Sequence, residues 1–165
     1  MKVFLIKLIG SWFFTGYLKP APGTWGTIAG ALTFYVATHY FGLGTREMII
    51  LTGALFFIAV PICAQYEEVT QIKDPGSLVI DEVVAIMAGY IILDYYQSHD
   101  VFSHNAMTVI FFLLFRFFDI IKPYPIKNME IFFSSGVAVM VDDIMAAIYA
   151  LATYGAIVYS IQNYV

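Results

Sequence analysis

The chain predicts an all-α fold: a compact polytopic membrane helix bundle of about five membrane helices plus a short N-terminal amphipathic helix. Three observations predict it. Of 165 residues, 61% are hydrophobic and 12% are charged, about half the charged share of a soluble domain. Mean hydropathy is +0.80. The apolar residues gather in five runs, 26–41, 48–66, 78–93, 106–121 and 137–161, each near the ~17–25 residues that cross a bilayer. With no internal repeat, low-complexity stretch or linker, residues 1–165 read as a single domain.

The elements follow in order. The opening stretch MKVFLIKLIGSWFF has the look of a signal peptide but lacks a small-residue cleavage site and runs into a Gly/Pro-rich loop. It reads instead as an amphipathic helix lying on the membrane surface. Pro61 should kink the second membrane helix without abolishing it. Connections 42–47 and 94–103 are short and polar, whereas 67–77 and 122–136 are longer and hold Pro, Gly and most of the charge found in these four connections.

Orientation follows from the basic residues. In a five-helix arrangement Lys2, Lys7, Lys19, Lys73, Lys122 and Lys127 fall on one side, with Arg116 nearest to it and only Arg46 on the other. The positive-inside rule then makes the N-terminus cytoplasmic. The same arrangement gathers Asp81, Glu82, Asp119, Asp142 and Asp143 at the cytoplasmic border and sends His39, His99 and His104 to the far side. A charge in or beside hydrocarbon costs several kcal/mol, roughly 2.5–3.5 at a helix centre, so acids collected at one border call for a cation. A net charge of -4 gives no reason to expect a nucleic-acid partner, and the lone Cys63 allows neither an intrachain disulfide nor a cysteine zinc site.

Four segments could hold chemistry. In Asp74-Pro-Gly-Ser77-Leu-Val-Ile-Asp81-Glu82, the Pro-Gly turn leads to Ser77 as helix cap, with the two acids one turn later. Adjacent helical residues project ~100° apart, so one metal ligand and one rim residue are expected from the pair. The plain alternative is an acidic first turn favoured by the helix dipole. In Phe115-Arg116-Phe-Phe-Asp119-Ile-Ile-Lys122-Pro123, Arg116, Asp119 and Lys122 share a helix face that Pro123 ends. That pattern suits a metal plus a phosphate, or else a self-neutralising Arg–Asp pair with Lys122 snorkelling to headgroups. Asp142-Asp143 again starts a helix, and Ala146, Ala147 and Ala150, like Ala85, Ala88 and Gly89, allow close helix approach. The Gly/Pro-rich loop 15–27, with Gly23, Thr24 and Thr27, could offer backbone N–H groups and hydroxyls to an anion, or could be a rigid membrane-entry turn.

Oxygen ligands without His or Cys favour a hard cation such as Mg²⁺. Mg²⁺ with basic side chains at a membrane surface points to a metal-dependent enzyme acting on a phospholipid headgroup.

The segments PAPGTWGT (20–27), DPGSLVIDE (74–82), FRFFDIIKPYPI (115–126) and MVDDIMAA (140–147) resemble, in order and spacing, the phosphatidylglycerophosphatase A family of bacterial lipid phosphatases. Thr27 stands where that family usually has Ser, and Ala147 where Gly is frequent. The resemblance implies Mg²⁺-dependent hydrolysis of phosphatidylglycerophosphate to phosphatidylglycerol in the bacterial cytoplasmic membrane, with the site on the cytoplasmic side. It implies that Asp81, Asp119 and Asp142 or Asp143 hold Mg²⁺, with Glu82 as ligand or proton acceptor. Lys122 and Arg116 would neutralise the phosphate, with Gly23, Thr24, Thr27 and Ser77 at the substrate. Attack by metal-activated water is favoured, and an aspartyl-phosphate intermediate stays open. The rivals are a CDP-alcohol phosphotransferase, whose DG-x2-AR-x8-G-x3-D-x3-D pattern is absent, a carboxylate-lined cation transporter and a structural membrane subunit. A homo-oligomer is left open.

Overall fold

The protein is described from a computed structural model covering residues 1–96, 102–128 and 132–164. Among these residues there are six α-helices and no strand: α1 (Lys2–Gly10), α2 (Pro22–His39), α3 (Thr45–Thr70), α4 (Ile80–Tyr96), α5 (His104–Ile121) and α6 (Ser135–Tyr164). His99 lies outside the described residues.

Helix α4 is the axis of the bundle. From Ile80 to Leu93 nearly every side chain is buried, because the sequence is apolar all round and α2, α3, α5 and α6 surround it. Phe111 and Phe115 of α5 and Ala146, Ala147 and Ala150 of α6 close the core on it. The alanines permit the close approach expected of them.

The outer helices are turned inside out relative to a soluble protein. Helices Thr45–Thr70, His104–Ile121 and Ser135–Asn163 are long and apolar enough to cross a membrane, and only 17–22% of their apolar windows is buried. Their outward faces present Ile49, Ile50 and Phe57, then Val109, Leu113 and Phe117, then Ile148 and Ile157. Surfaces this apolar and continuous mark a lipid-facing protein. Helix α3 runs unbroken through Pro61, as expected of a membrane helix whose neighbours stabilise it.

Helix α1 packs on α3 through the buried Ile6 and Gly10, leaving Val3, Phe4 and Leu5 exposed. Trp12, Phe13 and Phe14 then take positive φ values of 43°, 56° and 67°, reversing the chain into a 3-10 turn at Thr15–Tyr17. Gly16 fits there because a Cβ would overlap the Ser77 carbonyl oxygen. Val79 N–H donates to Gly10 O at 2.9 Å, tying the start of α4 to the end of α1.

Candidate active site

At this end of the bundle, three helix ends and one further helix converge on a cavity of about 260 Å³. Helix α2 begins within the Gly/Pro-rich segment, with Pro22 in its first turn, where a missing N–H costs nothing. That places Gly23 against α4. Helix α4 contributes Asp81 and Glu82 from its first turn. Helix α5 brings Arg116 and Asp119, then ends at Lys122, whose left-handed backbone (φ 44°) precedes Pro123. Helix α6 contributes Asp143.

Carboxylate oxygens of Asp81, Glu82 and Asp143 lie within 4.8 Å of one another. Asp81 and Asp143 are only 5% and 3% exposed, so solvent does little to offset their repulsion. Asp81 Oδ1, Glu82 Oε2 and Asp143 Oδ2 are buried with no hydrogen-bond partner. Three carboxylates grouped this closely, each with an orphaned buried oxygen, form an all-oxygen group that could bind a hard divalent cation.

Around the trio the charges are paired. Arg116 bonds the Asp119 carboxylate, lies 3.7 Å from Glu82 Oε1, and donates to Thr27 Oγ1 at 3.4 Å. Its Nε is buried and unpartnered. Lys122 Nζ is 3.2 Å from Asp142 Oδ2 and 4.0 Å from Asp74 Oδ2. A Cβ on Gly23 would overlap Glu82 Oε1 and stand 3.0 Å from Arg116 Nη2, so only glycine leaves these two side chains in place. Six carboxylates (Asp74, Asp81, Glu82, Asp119, Asp142, Asp143) against two cations (Arg116, Lys122) leave a marked excess of negative charge.

Several expectations need correction. Asp81 and Glu82 both reach the trio, where one ligand and one rim residue were expected; the longer Glu82 side chain makes up the angular offset. Asp142 and Asp143 do not start a helix but lie seven and eight residues into α6, and Asp142 turns to Lys122 rather than joining the trio. Ser77 neither caps α4, which begins at Ile80, nor lines the cavity; its Oγ pairs with Tyr66 Oη at 2.8 Å. Thr24 is outside the cavity lining, and Thr27 supports Arg116 instead of facing the cavity. His39 and His104 line a separate cavity of about 330 Å³ with Tyr35, Thr38 and Asp94 at the opposite end of the bundle. Among the charged residues of the wall, one escaped the sequence reading: Asp74, whose place before Pro-Gly gave it an ordinary turn role.

An all-helical protein with a lipid-facing exterior and a buried, metal-ready carboxylate site beside two cations is a membrane-type enzyme architecture. Residues 8–158 match the sequence model of phosphatidylglycerophosphatase A. Phosphatidylglycerophosphatase A of Haemophilus influenzae is 34% identical over 154 residues, 93% of this chain and 89% of the relative. A Bacteroides thetaiotaomicron protein provisionally named a phosphatidylinositol-3-phosphatase is 34% identical over 150 residues, 89% of each chain. Phosphatidylglycerophosphatase A of Escherichia coli is 27% identical over 141 residues, 86% of this chain and 76% of the relative. No solved structure matches the chain at a significant level. The chain belongs to the phosphatidylglycerophosphatase A family and is a phosphatase.

Proposed function

We propose that the protein hydrolyses the terminal phosphomonoester of phosphatidylglycerophosphate to give phosphatidylglycerol, in a Mg²⁺-dependent reaction at the cytoplasmic face of the bacterial inner membrane. The observation that carries this reading is the buried Asp81–Glu82–Asp143 trio beside Arg116 and Lys122, in a chain of this family. Asp81, Glu82 and Asp143 would hold the ion, with Asp119 beside them in the cavity wall. When bound, such a cation supplies charge neutralisation at phosphoryl oxygens and acidifies nearby water.

The chain's own groups do the rest. Arg116, which lines the cavity, would offer its guanidinium to a phosphate oxygen, and Asp119 fixes that guanidinium in place. Lys122 adds positive charge for a phosphomonoester that is a dianion near neutral pH. Glu82 is the carboxylate best placed to take a proton from the attacking water, since its long side chain reaches the trio from beside Arg116. Asp142 serves as the anchor of Lys122 rather than as a ligand.

Five membrane spans in one domain remain the favoured architecture. Helix α2 turns Trp25, Ile28, Leu32 and Tyr35 outward as one apolar stripe, and the 17-residue α4 extends about 26 Å at the core of the bundle. The cytoplasmic orientation is supported by the basic residues. Lys73 and Lys122 belong to the segments around the acidic cavity, whereas Arg46 begins α3, about 30 Å from Tyr66 near the cavity end.

A second phospholipid monoester is a specific alternative, favoured by the name of the Bacteroides relative. Inorganic phosphate release from phosphatidylglycerophosphate, phosphatidic acid and phosphatidylinositol-3-phosphate in detergent micelles, with Mg²⁺ and with EDTA, tests both. Preferential Mg²⁺-dependent turnover of the first supports the main reading, and preference for the third replaces its substrate.

A further inference from the structure

Two segments that wall the acidic cavity are clamped together from outside it by Glu67, in the last turn of α3. Glu67 Oε1 accepts the backbone N–H of Asp74 at 2.7 Å, and Oε2 accepts the hydroxyl of Ser135, the first residue of α6. On the cavity side the same two segments are bridged again, by Lys122 between Asp74 and Asp142. Glu67 itself is not in the cavity lining.

The bond from Glu67 acts on a turn residue. The Asp74 backbone sits at φ 44°, in the left-handed region that aspartate visits more readily than most residues other than glycine, though still at a cost. The loop around it lies at the surface: Gln71 is also left-handed, and residues 71–74 and 76 are exposed. A hydrogen bond from the Asp74 N–H to a charged carboxylate is of the strong kind and orients the residue whose side chain faces Lys122.

We infer that Glu67 is a positioning residue for the phosphatase site: by fixing Asp74 it holds Lys122 in place against the cavity, and through Ser135 it ties that loop to the helix bearing Asp142 and Asp143. This rests on the phosphatase reading above. Glu67 therefore acts through Asp74 and not by touching substrate or metal.

The test uses the full-length protein with Glu67→Ala, Glu67→Gln, Asp74→Ala and the Glu67→Ala/Asp74→Ala double variant. Glu67→Ala should lower kcat about tenfold, the scale on which outer supports of metal sites act, while KM moves less than about twofold. Glu67→Gln keeps an acceptor for the Asp74 N–H and should restore kcat to within about threefold of wild type. In the Asp74→Ala background, Glu67→Ala should cost clearly less than it does in the wild-type protein, because residues acting in series are not additive and only the tie through Ser135 is then left to lose. Amide exchange at Asp74 should quicken in Glu67→Ala. Additive losses in the double variant, or an unchanged kcat in Glu67→Ala, overturn the inference. Unchanged exchange at Asp74 overturns it without any substrate, so a wild-type protein inactive on phospholipid monoesters counts against the phosphatase reading separately. If Glu67→Ala is too unstable to purify, Glu67→Met, similar in size and without acceptors, serves in its place.

Discussion

Lys122 Nζ lies 3.2 Å from Asp142 Oδ2, so the ammonium that ends α5 takes one of two adjacent aspartates of α6 and leaves the other to the acidic trio. This single pairing separates the roles of Asp142 and Asp143, which are indistinguishable as neighbours in sequence. Burial alone would lower the Lys122 pKa, but the carboxylates of Asp143, Asp142 and Asp74 outweigh it and hold the value above that of a free lysine.

A pH prediction follows with a definite sign. A lysine with a raised folded-state pKa gives its full stabilisation below its unfolded value, about 10.4, and loses it only as pH rises through the higher folded value. The drop in melting temperature caused by Lys122→Met should therefore be the same from about pH 6 to 9. A drop that shrinks steadily over that range would contradict the assigned ion pairs.

Asp81→Asn and Asp143→Asn should each cut turnover by more than about a hundredfold, beyond the effect of an outer support. Neither should unfold the protein, because removing one charge relieves repulsion within the trio. In EDTA their melting temperatures should equal or exceed wild type, and added Mg²⁺ should no longer raise them as it does for the wild-type chain. Asp142→Asn should be milder, about tenfold, because it loosens Lys122 without removing a trio oxygen. Melting curves and initial rates check all three.

Gly23→Ala should separate stability from activity. Alanine favours a helix by about 1 kcal/mol over glycine, so the fold should be little affected. Its Cβ meets Glu82 Oε1, however, and the carboxylate must shift from its place beside Arg116. A fall in kcat of about tenfold or more, at near-unchanged melting temperature, is expected from a misplaced group. Wild-type turnover in Gly23→Ala would show that the Glu82 position is not needed.

His39→Ala and His104→Ala should leave turnover within about twofold of wild type, since a catalytic group must lie within hydrogen-bond reach of the reacting atoms. Both imidazoles line the cavity at the opposite end of the bundle. Loss of activity in either would place the chemistry at the wrong end.

Much of this site was legible because helix period and hydropathy are properties of local sequence. The grouping of Asp81, Glu82, Asp119 and Asp143 at one end, away from His39 and His104, follows from where the apolar runs begin and stop. What local sequence does not encode is where a side chain finds its partner across the bundle. Ser77 has the place of a helix cap, yet Tyr66 stands 2.8 Å away and takes its hydroxyl. Adjacent acids looked alike, but the reach of Glu82 joins one pair to the trio while Lys122 divides the other. Asp74 and Glu67 carried no signal, because their roles come from a left-handed turn and a bond to a backbone N–H.

The most direct test of the central claim is phosphate release from phosphatidylglycerophosphate micelles by the wild-type protein and by Asp143→Asn, titrated with Mg²⁺ after EDTA treatment. The account predicts no release without Mg²⁺, saturable release on adding it to wild type, and none from Asp143→Asn across the titration. Full release by EDTA-treated wild type, or Mg²⁺-dependent release by Asp143→Asn at the wild-type rate, would contradict a metal-dependent phosphatase built on this trio.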